Sequence, residues 1–211
     1  QFWTPYGATE CLPVAVIEGR ELQDTRAATE AGAGTCVGRP VAPNQVRIIA
    51  IDDAPIAHWS AVVELPAGEV GEITVAGPTT TDSYFNREAA TIAAKIVEVR
   101  ADGGEQVVHR MGDVGYFDAE GRLWFCGRKT QRVQAADRAL YTEQVEPVFN
   151  AHPQVRRTAL VGVGVPGAQR PVLCVELAAG VDAGQFQRIQ GELRTLAAAH
   201  AHTAPVATFL R

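Results

Sequence analysis

The sequence predicts a mixed α+β / α/β chain in two parts, a strand-rich stretch over residues 1–128 and a smaller α+β stretch over residues 129–211. Two observations carry that division. Runs rich in β-branched residues recur up to Arg128, and beyond it helical periodicity alternates with strands. Length is a third, because 211 residues amount to about one and a half domains at roughly 150 residues each.

Residues 1–4 and 13–17 read as short buried strands joined by a loop that carries Tyr6-Gly7-Ala8-Thr9-Glu10. Residues 18–45, with Gly32, Gly34, Gly38, Pro40 and Pro43 and little periodicity, read as mostly irregular. Residues 46–51 and 70–75 are strands by their β-branched content, and 87–97 is a helix. Residues 114–117 and 122–125 flank Asp118-Ala119-Glu120-Gly121, a link with Gly last that suits a hairpin. The composition turns polar near Lys129 and Thr130, where the boundary is placed. Thr142 then caps a short helix whose Val145, Val148 and Phe149 fall at i, i+3 and i+4. Residues 157–165 and 171–177 are strands, and residues 183–200 place Phe186, Ile189, Leu193, Leu196 and Ala197 on one helical stripe.

Hydrophobic residues make up 46% and charged residues 20%, a globular mix that excludes disorder, collagen and coiled coil. Lys plus Arg is 19 against 24 for Asp plus Glu, so the net charge of −5 argues against a phosphate-gripping nucleic-acid face. The longest apolar stretch, residues 159–165, is broken by glycines and is far below the roughly 18 residues of a membrane span. The chain opens at Gln1, holds a single methionine, Met111, and has no signal pattern, as expected of a piece of a longer protein. Cys11, Cys36, Cys126 and Cys174 form no C-x-x-C pair and have no His at zinc spacing; they read as reduced, mostly buried thiols, which predicts a cytoplasmic location. A catalytic Cys paired with a distant His is the alternative.

Tyr6-Gly7-Ala8-Thr9-Glu10 places an aromatic face, a flexible backbone, a hydroxyl and a carboxylate within five residues. An aromatic ring stacks on a base for about 1–3 kcal/mol, glycine lets backbone approach a phosphate, and a carboxylate holds Mg²⁺ shared with phosphate oxygens. These are the parts of a nucleotide site, although a plain polar loop after a strand has the same composition. In Met111-Gly112-Asp113 the carboxylate suits ribose hydroxyls, and Arg128 supplies a planar charged fork; a turn-capping Asp and an Arg paired with a nearby acid are the simpler reading. His109 stands close enough to act as acid, base or support. His58, His152, His200 and His202 read as surface residues, and Arg156 with Arg157 as a solvated basic patch.

Taken in order, Tyr6-Gly7-Ala8-Thr9-Glu10, Gly71-Glu72-Ile73-Thr74-Val75 with Gly77-Pro78, Ser83-Tyr84-Phe85-Asn86, and Gly112-Asp113 through Asp118 and Gly121 to Gly127-Arg128-Lys129 have the spacing of one family. Nearly the whole chain resembles the rear part of the acyl-adenylate-forming (AMP-binding) superfamily. The resemblance implies the strand-rich end of a large N-terminal domain over residues 1–128, then a hinge and most of a small α+β C-terminal domain over 129–211. It implies ATP and Mg²⁺ as cofactors: Tyr6 stacks on adenine, Gly7 and Ala8 line the nucleotide, Thr9 binds the α-phosphate, Glu10 holds Mg²⁺, and Asp113 and Arg128 bind the ribose. Thr9 and Glu10 are the residues expected at the chemistry, in which a substrate carboxylate attacks the α-phosphate and gives an acyl-adenylate and pyrophosphate. Positioning and charge neutralisation dominate such steps.

Departures from the family pattern are informative. Thr130 stands where most members have Asp. Where members carry a Gln-Val-Lys-Ile-Arg-Gly type loop lining a pantetheine tunnel, this chain has Arg132-Val133-Gln134-Ala135-Ala136-Asp137, with Gln134 for the Lys and Asp137 for the Gly. A side chain at the Gly position crowds a tunnel for a flexible thiol arm. Residues 108–129 and 141–164 are similar to the olefin β-lactone synthetases, a branch that adenylates a 2-alkyl-3-hydroxy fatty acid and lets the substrate's own hydroxyl expel AMP. Such intramolecular closure reaches effective molarities of about 10⁵ M or more. The implied partners are the hydroxy fatty acid, ATP and other enzymes of the same olefin pathway, with no nucleic acid and no membrane span. A fatty acyl-CoA or acyl-carrier ligase and a non-catalytic interaction module with the same fold are the alternatives. The Gly-rich phosphate loop and C-terminal Lys of the family do not occur in these 211 residues, so the chain alone is expected not to turn over ATP.

Overall fold

The computed structural model describes all 211 residues, which form two compact units, Gln1–Asp24 with Cys36–Phe125 and Thr25–Thr35 with Cys126–Arg211. The strands up to Arg128 are β1 (Trp3–Ala8), β2 (Cys11–Glu18), β3 (Thr35–Pro40), β4 (Gln45–Ile49), β5 (Gly71–Ala76), β6 (Lys95–Val99), β7 (Glu105–Phe117) and β8 (Leu123–Arg128). Helices α1 (Gly19–Asp24), α2 (Arg26–Glu30) and α3 (Glu88–Ala94) lie between them. The strands make one eight-stranded sheet in the order β1-β2-β3-β8-β7-β5-β4, with β6 paired to β7. Every residue of β5 is buried, as befits a strand with apolar clusters against it. One cluster joins Cys11, Val14, Ile48, Ile73, Val75, Met111 and Leu123, and the other joins Ile49, Ala76, Ile96 and Val108. Asp118-Ala119-Glu120-Gly121 closes the β7–β8 hairpin, where the Asp118 carboxylate accepts from the Trp124 indole at 2.7 Å and the Arg122 guanidinium at 2.7 Å.

Four expectations are corrected in this part of the chain. Residues 1–4 are not a buried strand: β1 begins at Trp3, and Phe2 and Trp3 are exposed. Tyr6, Gly7 and Ala8 lie in β1, so the expected loop shrinks to Thr9-Glu10. Residues 18–45 hold α1, α2 and β3; helices of six and five residues are too short for apolar repeats to show a period. The helix expected over 87–97 stops at Ala94, because Ile96, Val97 and Val99 are β-branched and continue as strand β6.

The second unit contains β9 (Val133–Gln134), β10 (Ala139–Leu140), α4 (Thr142–Asn150), β11 (Val155–Val163), β12 (Arg170–Leu177), α5 (Phe186–Ala198) and β13 (Thr208–Leu210). β11 and β12 are antiparallel and β13 joins β12 in parallel. Val145 and Phe149 of α4 and Ile189, Leu193 and Ala197 of α5 share one core with Leu160, Leu173, Val175 and Phe209. Phe149 meets Phe209 edge-on, with ring centroids 5.7 Å apart. Thr142 is the first residue of α4 rather than its cap, which is Tyr141 and makes no side-chain capping bond. α2 packs on α4, and the Thr35 hydroxyl donates to Glu143 at 2.9 Å. All four cysteines are free thiols, Cys174 alone being exposed. His58 is exposed, whereas His152 is half-buried and bonded to Glu192 at 2.8 Å. No helix is long and apolar enough to cross a membrane.

Candidate functional site

The last pair of the β1–β2 hairpin, Ala8 with Cys11, leaves Thr9-Glu10 as a two-residue turn, with Thr9 exposed. Register slips between Tyr6 and Ala8, so Gly7 occupies a bulge. A Cβ there would stand 2.5 Å from the Cys11 carbonyl oxygen and 2.8 Å from Leu12 Cδ1. Only glycine fits.

A second bulge aims Asp113. Between the pairs Glu72 with Val114 and Thr74 with Arg110 the chain advances two residues on β5 and four on β7, and Gly112 takes φ +68° inside that bulge. Arg110 fastens both strands beside it. Its guanidinium, 3% exposed, pairs with Glu72, 1% exposed, at 2.7 Å, and donates to the carbonyls of Asp52, Ala54 and Ala93. Asp113 therefore leaves the ladder and its Oδ2 accepts from the Tyr6 hydroxyl at 2.7 Å. Two constellations 107 residues apart in sequence meet in one hydrogen bond. The Tyr6 ring, half-buried, also lies 5.9 Å from the Phe125 ring, tilted by 41°.

Glu10 is held from the other side of the turn. Its carboxylate accepts from the Tyr84 hydroxyl at 2.8 Å, and its main-chain carbonyl accepts from Thr81 N–H at 2.9 Å. The Tyr84 bond outweighs the opposing effect of burial and, with smaller help from a backbone bond and the fields of His109 and Lys95, keeps the Glu10 carboxyl below the usual carboxylate range. Burial and the facing carboxylate push Tyr84 up to about 12, so its hydroxyl stays a donor. Lys95 opens β6 directly opposite His109 of β7. Its ammonium donates to the Thr81 carbonyl and, at 3.1 Å, to the Thr81 hydroxyl. His109 is 2% exposed; burial first, and the Lys95 charge second, lower it to about 4, so the ring is neutral near pH 7. Its Nδ1 lies 3.3 Å from the Ala94 carbonyl oxygen, which assigns the proton to Nδ1 and leaves a lone pair on Nε2.

Of the residues expected from sequence, Tyr6 and Asp113 touch, Glu10 shares its turn with Thr9, and Gly7 and Ala8 carry the bulge. Arg128 ends β8 as an exposed residue of the second unit, followed by a 3-10 turn over Lys129–Gln131. Tyr84, Lys95 and Phe125 were given no role by sequence reasoning. Tyr84 lay within the Ser83-Tyr84-Phe85-Asn86 motif, and the only trace of Lys95 was a lone charge opening the run Ile96-Val97. A carboxylate kept anionic on a turn is the hard oxygen donor that Mg²⁺ takes singly, phosphates and waters supplying the rest; no group of three or more His, Cys, Asp or Glu gathers into a cage of its own. A concavity of about 670 Å³ beside Phe2, Glu18 and Arg20 does not include these residues.

A strand-rich unit followed by a small α+β unit matches solved adenylate-forming enzymes, and the relatives named below show the class: the chain belongs to the adenylate-forming (AMP-binding) superfamily. Amide bond synthetase McbA from Marinactinospora thermotolerans matches the fold with a TM-score of 0.73 and 26% identity, over 99% of this chain and 37% of that one. The o-succinylbenzoate coenzyme A synthetase (MenE) of Bacillus subtilis, in complex with ATP and magnesium ion, matches with a TM-score of 0.66 and 25% identity, over 99% of this chain and 37% of that one. No protein-family model matches the chain. Its particular relatives are olefin β-lactone synthetases. That of Xanthomonas campestris pv. campestris is 74% identical over 211 residues, and that of Stenotrophomonas maltophilia is 71% identical over 210 residues. Each match takes in 100% of this chain, which spans 38% of either relative. More distant relatives are CoA ligases acting on other acids.

Proposed function

We propose that the chain is the rear portion of an ATP-dependent, AMP-forming ligase that closes a 2-alkyl-3-hydroxy fatty acid into a β-lactone in long-chain olefin biosynthesis. The observation that carries the reading is the Tyr6–Asp113 hydrogen bond beside the Glu10 turn, in a sequence so close to the olefin β-lactone synthetases. On this reading residues 1–128 end the large nucleotide-binding domain, and residues 129–211 form the hinge and most of the small one. The enzyme works in the cytoplasm beside other enzymes of its pathway.

Tyr6 offers its ring to adenine, and Asp113 accepts hydrogen bonds from the ribose hydroxyls. The Thr9 hydroxyl donates to the α-phosphate. Glu10 would hold Mg²⁺, which when bound neutralises phosphate charge. A carboxylate oxygen of the substrate attacks the α-phosphorus, the bond to the bridging oxygen breaks, and pyrophosphate leaves. The 3-hydroxyl oxygen then attacks the acyl carbonyl, its proton passes to solvent, and AMP departs with the former carboxylate oxygen. Asp137 supports a step without an external thiol. It is an exposed side chain paired with Arg138 at 2.9 Å, in the turn between β9 and β10, and it lacks the left-handed backbone that a glycine would serve there.

The test supplies the full-length protein with ATP and a 2-alkyl-3-hydroxy acid, with and without CoA. Equal AMP release in both arms and a neutral lactone product are expected, with Glu10→Ala and Tyr6→Ala each lowering turnover about 100-fold or more, on the scale of lost transition-state electrostatics. CoA-dependent AMP release with a thioester product would favour the ligase alternative, and failure to bind nucleotide would favour a non-catalytic module.

A further inference from the structure

Lys95 is a buried ammonium, 8% exposed, whose two hydrogen bonds go to Thr81 and not to a carboxylate. Burying a charge in this way is unfavourable unless its field or its donors serve something nearby, and a Met of similar length would fill the place beside Ile96. What its donors fasten is the segment around Glu10. Thr81 takes both Lys95 bonds through its carbonyl and hydroxyl, and donates its own N–H to the Glu10 carbonyl at 2.9 Å. Three residues on, the Tyr84 hydroxyl holds the Glu10 carboxylate at 2.8 Å, while Tyr84 N–H is fixed by the Thr91 hydroxyl at 3.0 Å. Residues 81–84 therefore clamp Glu10 at main chain and side chain together. The same ammonium lies 5.8 Å from the Tyr84 ring centroid, so its charge also faces the residue that holds the carboxylate. Across the ladder its partner is His109, whose ring is bonded to the Ala94 carbonyl and whose field, like that of Lys95, reaches Glu10.

We propose that Lys95 is a positioning residue for Glu10: by anchoring residues 81–84 it sets the carboxylate where it meets the metal–nucleotide pair. This rests on the reading that Glu10 faces Mg²⁺. Outer-sphere partners of metal ligands are worth about 10- to 100-fold in metal affinity, and Lys95 acts at that distance, through Thr81 and Tyr84.

The experiment uses the full-length protein, Mn²⁺ as a paramagnetic stand-in for Mg²⁺, and the non-reacting analogue α,β-methylene-ATP. Mn²⁺ affinity is read by electron paramagnetic resonance, and metal-free nucleotide affinity by calorimetry in EDTA. Lys95→Met is expected to weaken Mn²⁺ binding to the nucleotide complex about tenfold while leaving metal-free nucleotide affinity within about twofold, and Lys95→Arg to restore most of the loss. Thr81→Val, which removes only the side-chain acceptor, is expected to shift Mn²⁺ affinity in the same direction and carries the test if Lys95→Met does not fold. Glu10→Gln separates the two readings. If it weakens Mn²⁺ binding and the Lys95 and Thr81 variants do not, the positioning role is wrong and the Glu10 reading stands. If Glu10→Gln leaves Mn²⁺ binding unchanged, both are wrong. Equal loss of metal-bound and metal-free nucleotide affinity in Lys95→Met would reduce Lys95 to a general structural residue and also overturn the proposal.

Discussion

Gly7 has no room for a side chain, with the Cys11 carbonyl oxygen 2.5 Å from where a Cβ would stand. Gly7→Ala is expected to destabilise the fold by about 1–3 kcal/mol, as overpacking does, and to shift the turn that carries Thr9 and Glu10, so a lowered melting temperature and weakened nucleotide binding should appear together. Tyr6→Phe removes the bond to Asp113; a net hydrogen bond contributes about 0.5–1.5 kcal/mol, which predicts a several-fold loss of nucleotide affinity with the fold intact. His109 gives a pH signature. Its folded-state value, about 4, lies below the ordinary 6.5, so between those limits the unfolded chain binds a proton that the folded one refuses. The stability this contributes is complete above about pH 6.5 and is lost as pH falls toward 4. His109→Gln should flatten the decline in melting temperature between pH 7 and pH 5; an unchanged decline would show that another group sets it. Tyr6, Glu10 and Asp113 were legible in the sequence because each sits in a short motif. Their contacts were not, since the Tyr6–Asp113 bond depends on two bulges that no local pattern announces.

Strands β5 and β7 depend on one buried ion pair beside the Asp113 bulge. Removing one partner of such a pair strands the other charge and costs about 3–5 kcal/mol. Arg110→Met is therefore expected to lower the melting temperature sharply, and Glu72→Gln combined with Arg110→Met to recover part of the loss; an additive double variant would mean that the pair is not coupled. The strands with β-branched runs were readable, as was the α5 stripe, because burial of one face imposes a period on the sequence. The end of α3 was misplaced because Lys95-Ile96-Val97 follows an Ala-rich helix with no Gly or Pro between them, and pairing with β7 decides where the helix stops. α1 and α2 escaped notice for a related reason: short helices such as these owe their stability to tertiary packing, which for α2 is its contact with α4.

At the scale of the whole molecule, the chain forms two compact units, and the second takes Thr25–Thr35 together with Cys126–Arg211. That recruitment was invisible in sequence, because a helix of five residues, α2, carries no composition signal of which core it joins. The chain spans 38% of its olefin β-lactone synthetase relatives, and the full-length protein is the molecule on which chemistry is measured. The proposed function gives it a site that activates a carboxylate as an adenylate and releases AMP without a thiol. The most direct measurement feeds the full-length protein a 2-alkyl-3-hydroxy acid labelled with ¹⁸O in both carboxylate oxygens, with ATP and no CoA, and reads the AMP by mass spectrometry. One ¹⁸O in each AMP, with a lactone retaining the other, is predicted, because the attacking oxygen leaves on the α-phosphorus. Unlabelled AMP, or label appearing in pyrophosphate or inorganic phosphate instead, would contradict the account.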